Sequence, residues 1–206
     1  MEQTKRIGIF LFEGVEVMDF AGPYEVFTAA NINAPRQYFD VFTVGEQKGD
    51  VRTSNGLVVK ADYDFSNCPQ SDVLVVPGGN VKPELVSNGT ISRWIKEQNQ
   101  RTEITFSVCN GAMLLAKAGL LAGLSVTTHH LFYERLAEID STVNVVKKIR
   151  YVDTGKIITS AGISAGIDAA LHIVLKIFGK KVALHATDIM EYESTAYKDN
   201  GKIISK

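Results

Sequence analysis

Nearly continuous runs of apolar residues recur along the chain, and stretches with helical periodicity separate them. Strands that are apolar on both faces are typical of a parallel sheet covered by helices. The predicted strands of this kind are residues 6–12, 38–44, 72–76 and 103–108. The predicted helices are residues 24–30, 85–100, 112–118, 131–139, 167–178 and 182–190. The alternation predicts a doubly wound α/β fold with a mostly parallel central sheet.

Three further segments depart from this alternation. Residues 51–59 enclose Asn55-Gly56 and predict a hairpin beside the main sheet. Residues 145–152 and 156–160 predict a second hairpin-like pair around the turn at residues 153–155. Residues 191–206 are polar, and we expect them to be loosely held.

Composition and charge narrow the class of protein. The 206 residues carry 22 Lys and Arg against 23 Asp and Glu, a net charge of −1. With no linker-like stretch, we expect a single domain over residues 1–206. No basic stripe is present, and Lys147, Lys148 and Arg150 are interpreted as a solvated edge, so we expect no nucleic-acid or membrane partner. With two cysteines, no signal-peptide pattern and no run long enough to cross a bilayer, a cytoplasmic location is expected.

The junction between strand 103–108 and the next helix holds the main candidate for chemistry. Cys109 stands at this junction, and Gly111 follows two residues later, a pattern that predicts a nucleophile elbow. The amino end of a helix favours a thiolate and so lowers the pKa of a cysteine. The alternative is an inert, buried cysteine that packs as a small hydrophobic residue.

Two other polar features follow predicted strands and therefore lie at the same edge of the sheet. Gly78 and Gly79 follow strand 72–76, where their amides could stabilise a developing anion or only permit a tight turn. Asp19 lies after the first strand and before a helix predicted to begin at Gly22-Pro23, where it could act at the site or only cap that helix. The convergence of these features with Cys109 predicts a small-molecule site at this edge.

The histidines give weaker signals. His129 and His130 are adjacent, and neighbours on a strand face opposite sides, so they make a poor metal pair. One of them could still reach Cys109. His172 lies among apolar helical residues and is interpreted as a core or interface histidine. We expect neither a metal nor a cofactor.

Several short motifs together resemble the DJ-1/PfpI superfamily over residues 6–193. They are residues 17–23, Pro77-Gly78-Gly79, residues 107–111, Gly119-Leu120-Leu121, Thr127-Thr128-His129 and residues 159–168. Their order and spacing make the combination specific where each motif alone is weak. Within the superfamily, the chain is most similar to the isocyanide hydratase-like branch and to a domain of some AraC-type regulators.

The resemblance implies a flavodoxin-like three-layer sandwich, a homodimer, and catalysis by Cys109 as nucleophile with Asp19 as its acidic partner. The residues expected to bind substrate or an oxyanion are Gly78, Gly79, Asn110, His129 and Ile163. Asn110 departs from the family pattern, because protease-like members have His there and isocyanide hydratases commonly have Thr. A dyad of neighbouring Cys and His is therefore absent.

The resemblance implies hydration of an isocyanide to an N-substituted formamide through a thioimidate on Cys109. Three alternatives belong to other classes. A glyoxalase or deglycase would use the same cysteine and acid on α-oxoaldehydes, and a redox or stress-response protein would use oxidation of Cys109 without turnover. A regulator's ligand-binding domain is the third, although the residues after Met190 leave no room for a helix-turn-helix. Peptidase activity ranks last.

Overall fold

The computed structural model describes residues 3–193 and 201–203. The strands are β1 Lys5–Leu11, β2 Phe39–Gly45, β3 Gly49–Arg52, β4 Val58–Ala61, β5 Tyr63–Asp64, β6 Val73–Val76, β7 Ile104–Ser107, β8 Ser125–Val126, β9 Asn144–Val145, β10 Tyr151–Asp153, β11 Ile157–Ser160 and β12 Gly201–Ile203. The helices are α1 Val17–Ala29, α2 Pro83–Val86, α3 Gly89–Arg101, α4 Ala112–Lys117, α5 Tyr133–Ile139 and α6 Ala165–Ile189.

A central sheet organises these elements. Within the described residues it has eight strands in the order β12-β10-β11-β7-β6-β1-β2-β5. The strands pair in parallel except for β10 with β11, which are antiparallel. The predicted mostly parallel sheet is therefore confirmed.

The helices form a layer on each face of the sheet. From β1 the chain crosses to β2 through α1, whereas from β6 it crosses to β7 in the opposite direction through α2 and α3. Because parallel crossovers are right-handed, these two connections lie on opposite faces. Helix α1 packs against α6, and α4 packs against α3 and α5. All four residues of β6 are fully buried between the two layers, as expected for an apolar central strand.

Helix boundaries differ from the sequence expectation at three places. Helix α1 begins at Val17, so Asp19 lies in its first turn and Pro23 lies inside it. The helix predicted over residues 85–100 is two helices, because the side chain of Asn88 caps α3 by accepting from the amides of Thr90 and Ile91. Helix α6 begins at Ala165, two residues earlier than predicted, and its backbone is non-helical at Gly179, where φ is 80°. The break predicted between residues 167–178 and 182–190 is therefore confirmed.

The smaller strands also refine the prediction. Strands β3 and β4 form the predicted antiparallel hairpin. The run predicted as one strand over residues 145–152 is divided: β9 pairs with β8, whereas β10 joins the central sheet. Lys148, between them, has φ of 58°, which interrupts an extended chain.

The sequence predicts that residues 191–206 are loosely held, and this prediction is wrong for Gly201–Ile203, which pairs in parallel with β10 at the edge of the sheet. Residues 194–200 and 204–206 lie outside the described part of the chain. Among the helices described here, none has the length and apolar character needed to cross a bilayer.

Candidate active site

Cys109 stands at a sharp turn between β7 and α4. Its φ is 56°, the left-handed region that L-residues rarely adopt, and the turn Cys109–Gly111 is a short 3₁₀ segment. Its N–H donates to the carbonyl of Ala161 (3.0 Å), and its carbonyl accepts from the Thr128 hydroxyl (2.7 Å). Gly111 is required here, because a Cβ at this position would lie 2.2 Å from the Val76 carbonyl oxygen. The chain thus has the geometry of an elbow, with the Cys109 side chain 7% exposed.

Asp19 lies next to Cys109 and is fully buried. Its Oδ2 accepts from the Gly78 amide (3.1 Å), and its Oδ1 is buried with no hydrogen-bond partner of good geometry among the described residues. Burial raises the pKa of Asp19 to about 7, although hydrogen bonds from Gly78 and from the Cys109 thiol act to lower it. A carboxyl group that titrates near neutral pH is suited to exchange protons with a reacting group.

The surroundings of Cys109 oppose the thiolate that the sequence predicts. Burial, followed by the charge of Asp19, raises the pKa of the thiol to about 12. The opposing influence of the helix is small, because α4 has only six residues and the 3₁₀ turn separates it from the strand. Above pH 7 the resting pair is therefore an Asp19 carboxylate beside a Cys109 thiol.

The glycine amides have a different role from the one expected. The Gly78 N–H is already bound to Asp19, and the Gly79 N–H donates to Oδ1 of Asn110 (2.8 Å). The amide group of Asn110 also donates to the Gly79 carbonyl (2.9 Å), and this side chain is 1% exposed. These contacts position the acid and fix the elbow against the loop after β6, and they leave neither glycine amide free to receive an oxyanion.

Two other amides face the sulfur instead. The main-chain N–H groups of Asn110 and Ile163 act to lower the pKa of Cys109 against the larger effect of burial. The Ile163 N–H also lowers the pKa of Asp19. Ile163 has φ of 51° and is 41% exposed, so it has a strained backbone and presents its side chain to solvent. A β-branched residue gives no sequence signal for such a backbone.

His129 lies close to the elbow but is held by other contacts. It follows Thr128, whose hydroxyl binds the Cys109 carbonyl, and its Nδ1 accepts from the Leu131 amide (3.3 Å). Its ring packs so closely on Gly162 that a Cβ there would lie 1.9 Å from Cδ2. Burial and the neighbouring His130 lower its pKa. The structure therefore brings His129 to the loop that carries Ile163.

Sequence reasoning missed the role of Arg150, which was interpreted as part of a solvated edge. Its Nε donates to Oδ2 of Asp168 (2.7 Å), and a second guanidinium nitrogen contacts the same oxygen. Asp168 is fully buried at the start of α6. The signal available in the sequence was a carboxylate in the first turn of an apolar helix, which needs a charged or polar partner once it is buried.

His172 is a core histidine, as interpreted from the sequence. Its Nε2 lies 2.8 Å from Oδ2 of Asp153, and its ring packs on Tyr151 with centroids 4.7 Å apart. Lys176 also binds the Asp153 carboxylate (2.9 and 3.0 Å). Although burial acts to raise it, these partners hold the pKa of Asp153 below its usual value. Within the described residues, no group of three or more His, Cys, Asp or Glu side chains is placed to hold a metal ion.

Comparisons with known proteins place this arrangement in a family. The DJ-1/PfpI family profile matches residues 5–176. The isonitrile hydratase of Pseudomonas putida is 32% identical over 196 residues, which cover 95% of this chain and 82% of the relative. The HTH-type transcriptional regulator GbdR of Pseudomonas aeruginosa is 25% identical over 187 residues, 91% of this chain but half of the regulator. A crystal structure of a THiJ/PfpI family protein from Pseudomonas syringae superposes with a TM-score of 0.84 and 26% identity, covering 93% of this chain and 76% of that one.

The profile match extends over most of the sequence, and the same fold recurs in a solved relative. On this evidence, the chain belongs to the DJ-1/PfpI family.

Proposed function

We propose that this protein is a cysteine-dependent enzyme that hydrates isocyanides to N-substituted formamides. The observation that carries the proposal is the juxtaposition of a thiol on a strained elbow with a buried carboxyl group whose pKa is about 7. The similarity to an isonitrile hydratase over 95% of the chain supports this choice of substrate. Catalytic roles are assigned to Cys109 and Asp19.

The first step joins the sulfur to the substrate. Above pH 7 the Asp19 carboxylate accepts the thiol proton as the sulfur of Cys109 attacks the terminal carbon of the isocyanide. The carbon–sulfur bond forms, the carbon takes the proton from Asp19, and the product is a thioimidate. A thiol with a pKa near 12 needs such a base, because almost no thiolate is present at neutral pH.

The second step releases the product. Asp19, ionised again, accepts a proton from a water molecule that attacks the thioimidate carbon and passes this proton to the substrate nitrogen. The carbon–sulfur bond then breaks as the added hydroxyl group becomes the carbonyl of the N-substituted formamide, and the hydroxyl proton returns to the sulfur through Asp19. Overall, one water molecule is added to one isocyanide, and no oxidant or reductant is consumed.

The amides of Asn110 and Ile163 support the charge that passes through the sulfur in both steps. Both lower the pKa of Cys109, which means that they stabilise its thiolate form relative to the thiol. We assign them the electrostatic role expected earlier of Gly78 and Gly79. The exposed side chain of Ile163 and the nearby His129 ring would contact the organic group of the isocyanide.

The two alternative functions, activity on α-oxoaldehydes and redox sensing, would use Cys109 and Asp19 in different ways. An α-oxoaldehyde activity would also use Cys109 and Asp19, so only a substrate comparison separates it from hydration. A redox sensor needs a thiolate in the resting state, and the raised pKa of Cys109 makes this reading less favourable.

The test is a substrate panel on the purified protein. A bulky alkyl isocyanide should yield its formamide, followed by NMR, and methylglyoxal should be consumed far more slowly. Rapid quenching and intact-mass analysis should show an adduct on Cys109 equal to the full mass of the isocyanide. The Cys109→Ala variant should form neither product nor adduct. Equal rates for this variant and the parent protein would reject covalent catalysis, and consumption of methylglyoxal alone would favour the α-oxoaldehyde function.

A further inference from the structure

Ile163 is held in place by groups that do not touch the reacting atoms. It lies in the loop between β11 and α6 with a strained backbone, two residues after Ala161, whose carbonyl accepts from the Cys109 amide (3.0 Å). Its own amide acts to lower the pKa of both Cys109 and Asp19. A β-branched residue keeps a φ of 51° only when the surrounding structure enforces it. The anchors of this loop therefore decide where the Ile163 amide points.

Arg150 supplies anchors on both sides of Ile163. Its carbonyl accepts from the Ala161 amide (2.9 Å), two residues before Ile163. Its guanidinium donates to the Ser164 hydroxyl from two nitrogens (3.2 and 3.3 Å), one residue after Ile163. The same guanidinium binds the Asp168 carboxylate in the first turn of α6.

Ser164 shows that the arrangement is specific. It occupies the N-cap position of α6, where a serine side chain ordinarily accepts from the amides of the first turn. Here its side chain makes no capping hydrogen bond and accepts from Arg150 instead. The Asp168 carboxylate has a second partner, because the Tyr192 hydroxyl donates to its Oδ1 (3.0 Å).

We propose that Arg150 is a positioning residue that, through Ser164 and Asp168, holds the Ile163 amide against Cys109 and Asp19. Only arginine fits this task, since its planar fork can contact a hydroxyl and a carboxylate at fixed relative positions, whereas a lysine provides a single ammonium group. The effect of Arg150 on catalysis rests on the proposed function, but its positioning of the Ile163 loop does not.

The expected consequence is a change in the titration of Asp19. The titratable groups that face Asp19 are Cys109 and Glu16, and neither is bound to Arg150 in the contacts described above. The Ile163 amide lowers the pKa of Asp19, so releasing the loop should raise it further. The pH midpoint of Asp19 titration therefore shows whether the Ile163 loop is held in place, and it can be measured without any substrate.

The test uses protein with ¹³C-labelled aspartate carboxyl groups, in which the Asp19 resonance is assigned by its loss in Asp19→Asn. In Arg150→Gln the midpoint should move upward by about half a pKa unit, the size of a weakened hydrogen bond to a carboxylate. Arg150→Lys keeps the charge but loses the planar fork, so its Asp19 midpoint should also lie above that of the parent, by most of the shift seen in Arg150→Gln. Lys176 lies on α6, as Asp168 does, but its ammonium group binds the Asp153 carboxylate of β10. Lys176→Met should therefore leave the Asp19 midpoint unchanged.

An unchanged midpoint in Arg150→Gln would overturn the inference. A midpoint in Arg150→Lys equal to that of the parent would also overturn it, because the shift would then come from charge alone. If Arg150→Gln does not fold, Ser164→Ala and the double variant Arg150→Gln/Asp168→Asn provide the same measurement. Failure of isocyanide hydration in the parent protein, with the midpoint shift present, would reject the proposed function and leave this inference standing.

Discussion

Asp19 and Cys109 lie side by side and buried, and burial is the largest cause that raises the pKa of each. The Asp19 carboxylate raises the pKa of Cys109 further, whereas the Cys109 thiol acts to lower the pKa of Asp19. The two groups therefore titrate as a coupled pair. When Asp19 is ionised, the remaining proton of the pair is on the sulfur. The carboxyl group therefore loses its proton before the thiol does. This order makes the carboxylate the base of the pair, and several measurable consequences follow from it.

The first prediction concerns the pH dependence of turnover. Only the ionised form of Asp19 can accept the thiol proton, so kcat/KM for an isocyanide should rise with pH, with a midpoint near 7, and then level off. Asp19→Asn should remove this midpoint and reduce kcat about 10²–10⁴-fold, the usual contribution of general acid–base catalysis. Initial rates between pH 5 and 9 check both points. A flat profile in the parent protein would exclude Asp19 as the base.

The second prediction concerns stability at the same position. The folded pKa of Asp19 is raised above its unfolded value of 3.8, so this carboxyl group favours the folded state less as the pH rises from about 4 to 7. At pH 8 its full penalty is present, and Asp19→Asn should then stabilise the protein by roughly 1–4 kcal/mol, the upper value being the full pKa shift. Below pH 4 the gain should vanish.

Urea unfolding of the parent and of Asp19→Asn at pH 4 and pH 8 measures this difference. Gln100→Ala, at an exposed position on α3 whose side chain makes no hydrogen bond to a carboxylate in the described contacts, serves as a control for general effects of pH. A variant that is less stable than the parent at pH 8 would show that the carboxylate is better compensated than its burial indicates. Loss of activity together with a gain of stability is the signature expected of a strained functional group.

Cys109, Asp19 and the glycine pair could be placed at one edge of the sheet from sequence, because parallel strands end at a common edge and each residue follows such a strand. The protonation state of Cys109 could not be predicted in this way. Local sequence shows a helix after the cysteine, but the burial that dominates its pKa comes from segments distant in the chain. A pKa depends on the complete surroundings of a group, and an element pattern does not contain them.

The role of the amides illustrates the same limit. Gly78 and Gly79 offer bare N–H groups in the sequence, and their partners Asp19 and Asn110 are 59 and 31 residues away. Ile163 has no feature that marks its backbone as unusual, although it supplies an amide that faces the sulfur. Hydrogen-bond partners over such separations are fixed by tertiary packing.

The third prediction concerns Asn110. Its side chain exchanges two hydrogen bonds with the Gly79 main chain inside the protein, so Asn110→Ala leaves a buried N–H and a buried C=O without that partner. The expected loss of stability is about 2–4 kcal/mol, and kcat should fall because the elbow loses its attachment to the loop after β6. Thermal unfolding and steady-state rates measure the two effects.

Asn110→Asp separates attachment from charge. It keeps an oxygen that can accept from the Gly79 N–H, but it loses the donor to the Gly79 carbonyl and brings a second carboxyl group near Asp19. A like charge raises the pKa of Asp19, so the midpoint of the rate profile should move above 7. If neither variant affects turnover, the contact between Asn110 and Gly79 is structural only.

The last prediction concerns Asp153, whose side chain is fully engaged by His172, Lys176 and the Gly155 amide. Its folded pKa lies below its unfolded value despite burial, so its stabilising contribution is present above about pH 4 and is lost as the pH falls through the folded pKa. Asp153→Asn should therefore lower stability at pH 7 by roughly 2–4 kcal/mol, as for a broken buried network, and the difference should narrow below pH 4. The rate of isocyanide hydration per folded molecule should not change, because the Asp153 partners described here lie outside the elbow and its contacts. Urea titrations at pH 3 and pH 7 test the stability, and a loss of stability that is equal at both values would contradict the linkage.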